Sequence, residues 1–493
     1  VSSISAPDGA VVATEPRLRR RRLLAALVGG VLATLVVALS LGFPSTPAGV
    51  ADNGDGQRLY CGAGLAPRTA DGHSNWKGGV VLQFATDAPV CPDPIVSSAL
   101  PVLELATAGS GPTWSLARLG VLYALAVGMV TALAAGALGW GARLAVLVPP
   151  LAPLAGLTFS RFFVSTYGEP AGLLGTYALV LGAGVLAVTR RGERPERVTG
   201  LLLTAAGGLF AATAKTSDLP LLGVAVVLCA ATAVQIGARP RRRDRLVGLA
   251  LAVGLAVVAI SPVLASLHWQ DRHYAAVNAH NLIFTVVLPG VGDAALAPLG
   301  LPPSAAPFAG RAYFPAGTQG VPGAPVIAAD PMRARVAAYG VLLAHPLVTA
   351  QTIGTGVTAT LGAGLSYLPS AALTQTSIAP ALGTTVGEQG AYRDQLQSWL
   401  NGLTAPWLPA LVAAIGIVLG LVTLRLGSPL VRALSRIAAL AAVAALALVA
   451  AAVLGDGFFE IAKHVWLAAY LLEVTAAAAL LAGVAAGVQV RAR

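Results

Sequence analysis

Apolar residues in this chain come in long unbroken runs, separated by short polar punctuation. Neither strict alternation nor a one-sided helical stripe describes them. Ten runs approach or reach the length needed to cross a bilayer, near 23–43, 115–138, 143–159, 171–189, 198–214, 220–238, 246–265, 405–424, 437–454 and 465–487. A hydrocarbon core of about 30 Å takes roughly 20 apolar residues in a helix. The pattern therefore predicts an all-α polytopic membrane protein with about ten transmembrane helices. The third run is the weakest, because Pro149 and Pro150 interrupt it. A Pro pair kinks a membrane helix and is tolerated where neighbours cover the freed carbonyls. A further apolar stretch, 347–367, is rich in Gly and Thr and reads as a re-entrant or surface helix. The first run follows a basic start, as a signal peptide would, but it is longer than a signal core and nine more runs follow, so it reads as an uncleaved first helix.

Composition agrees with this. Hydrophobic residues make up 56% of the 493 and charged residues 11%, well under the roughly 25% charge of a soluble domain. The net charge of +11 raises nucleic-acid binding, but the basic residues are not gathered into one patch. Arg17 and Arg19 to Arg22 precede the first run, and Arg143 lies between the second and third. Arg190, Arg191, Arg194 and Arg197 lie between the fourth and fifth, Arg239, Arg241 to Arg243 and Arg245 between the sixth and seventh, and Arg425, Arg432 and Arg436 between the eighth and ninth. Arg491 and Arg493 follow the tenth. With ten spans all of these fall on one side, and Arg-rich short loops favour the cytoplasm. Both termini are then cytoplasmic, and the expected partner of the basic residues is the lipid bilayer, with no nucleic acid. The expected organisation is a cytoplasmic basic N-terminus (1–22), a membrane domain of seven spans that includes the outer loop 44–114 (23–265), an extracytoplasmic segment with surface helices (266–404), three further spans (405–487) and a cytoplasmic tail (488–493). An Ala-, Gly- and Arg-rich, Lys-poor chain fits a high-GC bacterial genome and hence the cytoplasmic membrane.

Two of the three cysteines, Cys61 and Cys91, share the first outer loop. An outward compartment permits disulfides, so a Cys61–Cys91 bridge is expected. Four polar clusters then stand where outer loops meet the lipid. Asp52, Asn53, Asp55 and Arg58 follow the first run, with Gly54 and Gly56 around Asp55 to let the backbone turn; a solvated Asx turn would use the same residues. Arg161 and Glu169 flank the loop between the third and fourth runs, where Glu169 would also suit a helix N-terminus. Lys215 and Asp218 join the fifth and sixth runs, where a terminal Lys commonly snorkels. Asp456, Glu460, Lys463 and His464 join the ninth and tenth, with Glu473 about two turns inside the last. A carboxylate in a membrane span suggests function, although it also serves to pair helices. Collected at one depth, a carboxylate able to take a proton from an alcohol and cations able to hold a phosphate suit a reaction between a lipid phosphate ester and a hydroxyl acceptor.

These residues carry a resemblance. The strings NGDGQRL at 53–59, FFVSTYGEP at 162–170, AATAKTSDLPLL at 211–222, AHNLIFTVVLPGVGDAALAPLGLP at 279–302 and GDGFFEIAKHVWLAAYLLE at 455–473 look like the GT-C superfamily of membrane glycosyltransferases. Among these the likeness is nearest to bacterial hexose transferases of surface-glycan assembly. The resemblance implies a GT-C-like fold, a polyprenyl-phosphate sugar donor and a glycan or lipid-linked acceptor. It implies Asp55 as general base with Asp52 as the alternative, and Glu169 as a second acid. Arg58, Arg161, Lys215, Lys463 and His464 are candidates for the donor phosphate, and some relatives use a divalent metal, Mg or Mn, that Asp55 and Glu169 would help to hold. Lys215 departs from the family pattern, since Lys-Thr-Ser-Asp stands where a Ser-Lys-Pro-Gln-like string is usual.

Residues 266–404 are too long for a simple connection. His268, Trp269, Asp271, Arg272, His273, Tyr274, Asn278, His280 and Asn281 make an aromatic and polar cluster suited to a sugar or to a wet interface. The His spacing does not fit a protein-only metal site, and the Gly-, Pro- and Ala-rich 299–329 reads as an irregular loop over the site. The rival function is a transporter or flippase of an envelope precursor. That would need midplane charges and broken helices, whereas only Glu473 lies deep. The topology is directly testable: a periplasmic reporter fused after residue 110 is expected to be active and one fused after residue 192 inactive, and the reverse result would overturn the orientation.

Overall fold

The computed structural model describes residues 15–45, 47–68, 80–235, 242–315, 317–368, 370, 405–424 and 427–491. Each of the ten predicted runs falls at least in part on helix. The helices are α1 (Glu15–Ser40), α2 (Ala117–Leu138), α3 (Glu169–Val188), α4 (Arg194–Ala212), α5 (Pro220–Ala231), α6 (Leu246–Asn281), α7 (Pro331–Ala344), α8 (Pro346–Ala359), α9 (Leu408–Val422), α10 (Pro429–Asp456) and α11 (Trp466–Arg491). Six helices are long and apolar enough to cross a membrane, or up to eight if each of two bent pairs is one span. The chain is a polytopic, all-helical membrane protein. The only sheet among the described residues is three short antiparallel strands, β1 (Ala66–Pro67), β2 (Gln83–Ala85) and β3 (Thr113–Ser115).

The helices pack without the help of water exclusion, so contact area must come from close approach. On α3 and α4 this is done with glycine. A Cβ on Gly175 would lie 2.4 Å from the Ala211 nitrogen, and one on Gly207 would lie 2.4 Å from the Leu179 nitrogen. With this contact α3 becomes the central helix, 89% buried over its apolar window. By contrast α6 exposes Leu249, Val253, Val257, Ile260 and Leu264, an apolar face of the kind lipid covers.

Several boundaries differ from the sequence reading. The third run does bend, by 73°, but at the joint between Ala142–Ala155 and Leu157–Phe163 rather than at the Pro pair. Gly156, in an extended conformation, makes the break. The sixth run is helical only to Ala231. An extended stretch follows, and Val234 N–H donates to the Asp244 carbonyl at 2.8 Å. The seventh run does not stop near residue 265. α6 continues to Asn281 and then as a wide π-type turn, Leu282–Val287, because no Pro or Gly breaks the helix between Pro262 and Pro289. The stretch 347–367 lies on the second half of a pair, Pro331–Ala344 with Pro346–Gly362, bent by 106°. The loop 299–329 contains short helical turns as well as irregular chain, including Ala324–Ala329. Residues 371–404, Arg239, Arg241, Arg425 and Arg493 lie outside the described residues.

Cys61 and Cys91 form a disulfide with Cα atoms 5.4 Å apart and a sequence separation of 30. It ties the helical turn Gln57–Tyr60 to the segment leading to Asp93. Asp93 in turn accepts from Arg272 of α6 at 2.9 Å. Closing a loop of this length stabilises a fold by roughly 3 kcal/mol. Replacing both cysteines by serine is expected to lower the thermal midpoint in detergent, and an unchanged midpoint would refute that role.

Candidate functional site

The loop after α1 is built around a carboxylate that never reaches the cavity. Asp52 is buried, and its Oδ1 accepts from Gly54 N–H at 2.9 Å and Gly56 N–H at 2.8 Å. Gly54 has φ +103°, a conformation glycine adopts without strain. A Cβ on Gly56 would sit 2.4 Å from Thr166 Oγ1. Asp52 is therefore the hub of a tight turn, and this corrects its reading as an alternative base. The turn pushes Asp55 out between the two glycines.

Asp55 is met there by two cations. Arg58, one helical turn on, donates to Oδ1 at 2.7 Å, and Lys463 bonds to Oδ2. Lys463 is 3% exposed. Its other neighbours are Asn53 Oδ1 at 3.4 Å, Glu460 at 4.0 Å and the Tyr167 ring, with the ring centre at 4.7 Å. Tyr167 locks the same corner. Its hydroxyl donates to the Ala51 carbonyl and accepts from Asn53 N–H, both at 3.0 Å. Burial pushes the Asp55 carboxyl up, but Lys463 and then Arg58 outweigh it and hold the group well below the usual carboxylate range. Asp55 is thus ionised throughout the neutral range. Its pairs support the folded state at neutral pH, and that support fades as pH falls toward the depressed folded value.

A second pair stands beside the first. Lys215, just after α4, donates to Glu169 at the start of α3 over 3.0 Å. Burial would lower the Lys215 pKa, but Glu169 and Asp218 raise it above the ordinary value, so the pair is ionic. A third contact joins His464 Nε2 to Asp456 Oδ2 at 3.3 Å, with Asn281 donating to Asp456 Oδ1 at 2.8 Å. Burial, with Lys215 and Lys463 nearby, holds His464 well below its ordinary value, so the ring is neutral at pH 7.

These groups line or back one cavity of about 1050 Å³. Asp55, Arg58, Glu169, Lys215, Asp456 and His464 make its charged end. The cluster expected after the seventh run supplies another wall: Trp269, Gln270, Asp271, Tyr274 and Asn278 all face it from α6. The Arg58 guanidinium lies over the Tyr274 ring, 4.3 Å from its centre. Phe314 lines it from the 299–329 loop. Lys463 lies behind this surface, and Glu473 does not line the cavity.

Arg161 does not reach the site. Buried under the 364–370 segment, it donates to the Leu368 carbonyl at 3.1 Å, Ser370 Oγ at 2.7 Å and the Gly364 carbonyl at 2.8 Å. It anchors Gly364, Leu368 and Ser370 and does not line the cavity. Among the described residues no three His, Cys, Asp or Glu gather as a metal set. Asp55 and Glu169 are each already engaged by a cation, so they do not fit a divalent ion as they stand. Sequence reasoning missed Arg335 and Tyr339 of α7, which also face the cavity. Their i, i+4 spacing within an apolar helix was the available signal.

Residues 15–330 match the family model described as the YfdI N-terminal transmembrane domain, more than half of the chain, and the chain belongs to that family. No curated protein and no solved structure matches it. The match contains Asp55, Glu169, Lys215 and the α6 wall, and it ends before α7 and the Asp456–His464 turn.

Removing the buried counter-charge should release Asp55 upward. In Lys463→Met, infrared titration of the Asp55 carboxyl, identified by difference against Asp55→Asn, is expected to show protonation at a higher pH than in the parent protein. An identical titration would show that Lys463 does not set the ionisation.

Proposed function

We propose that this member of the YfdI N-terminal transmembrane domain family is an integral membrane glycosyltransferase. It moves a hexose from a polyprenyl-phosphate sugar to a hydroxyl of a glycan or lipid-linked acceptor on the outer face of the cytoplasmic membrane. The observation that carries this reading is Asp55, an ionised carboxylate presented by a glycine-flanked turn into a cavity that also holds cations and an aromatic wall. The Arg-rich connections, opposite the loops that build the cavity, support the outward orientation.

In this mechanism the acceptor hydroxyl hydrogen-bonds to Asp55, which takes its proton as the acceptor oxygen bonds to the anomeric carbon. The bond between that carbon and the phosphate oxygen breaks, and its electron pair leaves with the lipid phosphate. Stabilising the departing charge is an electrostatic task for preplaced cations. Arg58 and Lys215 line the cavity and suit it, whereas Lys463 is spent on Asp55 and His464 on Asp456. As Arg58 turns to the phosphate it leaves Asp55, whose proton affinity then rises. Trp269 and Tyr274 offer aromatic faces to a sugar ring. A transporter would need charges along a path through the bilayer, and among the described residues the charged side chains that line the cavity, apart from Asp271 and Arg335, stand at helix ends or in the turns between helices.

Asp55→Asn is expected to lower transfer from a labelled polyprenyl-phosphate hexose by at least about 100-fold, the usual contribution of a general base, while donor binding persists. Transfer at the parental rate would remove Asp55 from this role.

A further inference from the structure

Of the cations that face the cavity, two are already neutralised at close range: Arg58 by Asp55 at 2.7 Å and Lys215 by Glu169 at 3.0 Å. Arg335 is different. Its nearest carboxylate, Asp271, stands 3.9 Å away, beyond hydrogen-bond reach. Its Nη2 donates to the Tyr339 hydroxyl at 3.2 Å, and its buried Nε has no hydrogen-bond partner among the described residues. A guanidinium has five N–H donors in a planar fork matched to phosphate oxygens, and most of Arg335's are unspent. Tyr339 fixes its direction, because the Tyr339 hydroxyl donates to the Leu454 carbonyl of α10 at 3.0 Å.

The surroundings are amphipathic. Arg335, Tyr339 and Leu342 follow i, i+4, i+7 spacing and line the cavity. Met332, Val336 and Leu343 of the same helix and Leu347 of α8 are exposed. Leu343 is both a wall of the cavity and 82% exposed, so the cavity opens there onto an apolar outer face. An underused cation beside an apolar opening fits an anionic head on an apolar tail. Asp271, the loose partner of Arg335, is three residues from Tyr274, the stacking partner of Arg58. Residues at that spacing are neighbours on a helix face, so Arg335 and the Arg58–Asp55 pair meet α6 about one turn apart, on residues that both line the cavity.

We propose that Arg335, oriented by Tyr339, binds the phosphate of a lipid monophosphate whose apolar tail leaves the cavity past Leu343. This rests on the glycosyltransferase reading and names a donor-binding residue beyond the segment that the family model covers.

The test is binding of a fluorescent long-chain polyprenyl monophosphate to the full chain in nanodiscs, independent of transfer. Arg335→Gln is expected to weaken binding by about tenfold or more, the usual loss for a charged hydrogen bond. Arg335→Lys should recover part of it. Asp271→Asn, which removes the loose competitor, should bind as tightly as the parent or tighter, a result that misfolding cannot mimic. Inorganic phosphate and the uncharged polyprenol should each fail to displace the probe at equal concentration. Unchanged affinity in Arg335→Gln, weaker binding in Asp271→Asn, or displacement by inorganic phosphate alone would overturn the assignment of Arg335 while leaving the function open to its own transfer assay. A parent chain that does not bind the probe at all would overturn both.

Discussion

A charge taken out of water must meet its counter-charge, and the architecture around the cavity follows from that requirement. Lys463 is almost wholly buried, and burying an ammonium ion alone costs several kcal/mol. Asp55 supplies the compensation, with the Asn53 oxygen and the Tyr167 ring filling the remaining sides. Because Asp55 sits on the turn after α1 and Lys463 on the turn before α11, the pair draws together two segments far apart in the chain. Lys215 and Glu169 do the same for the ends of α4 and α3. The loops at this end of the bundle are thus joined by ion pairs where apolar packing cannot reach.

The same pairing divides labour among groups that look alike on paper. Asp52 and Asp55 are three residues apart, yet one closes a turn with backbone N–H groups and the other faces the cavity. Arg58 and Arg161 are both buried or half-buried arginines beside aromatic rings, yet Arg161 is consumed by three oxygens of the 364–370 segment. Chemical type alone does not decide such roles. They depend on whether a neighbouring backbone offers oxygens or N–H groups that compete with a ligand.

That competition explains what was legible in the sequence. Long apolar runs announce membrane helices directly, since each must satisfy its own backbone, and each predicted run carries helix. Gly54 and Gly56 marked the turn that presents Asp55, and the compartment argument pointed to Cys61 with Cys91. Long-range partners were not legible, because nothing local to Lys463 specifies Asp55, 408 residues away. The end of α6 was misread for a different reason. Polar residues beyond residue 265 signalled the edge of the lipid, but a helix does not end where the lipid does, and α6 carries Trp269 and Tyr274 onward as a rigid wall. Arg335 went unnoticed because it stands in the long outer segment, where a charge is unremarkable until its donors are counted.

The distance in sequence between Asp55 and Lys463 also has a consequence for biosynthesis. A membrane protein is threaded into the bilayer from its N-terminal end, so the turn around Asp55 is in place hundreds of residues before Lys463 is made. During that interval Asp55 has Arg58 but lacks its buried counter-charge, and the Asn53–Tyr167 corner lacks the ammonium it surrounds. The corner closes only when Lys463 is delivered. A chain cut short before Lys463 would therefore carry every residue of the matched segment and still have no finished site, so the arrangement makes synthesis through that turn a condition of assembling the charged centre.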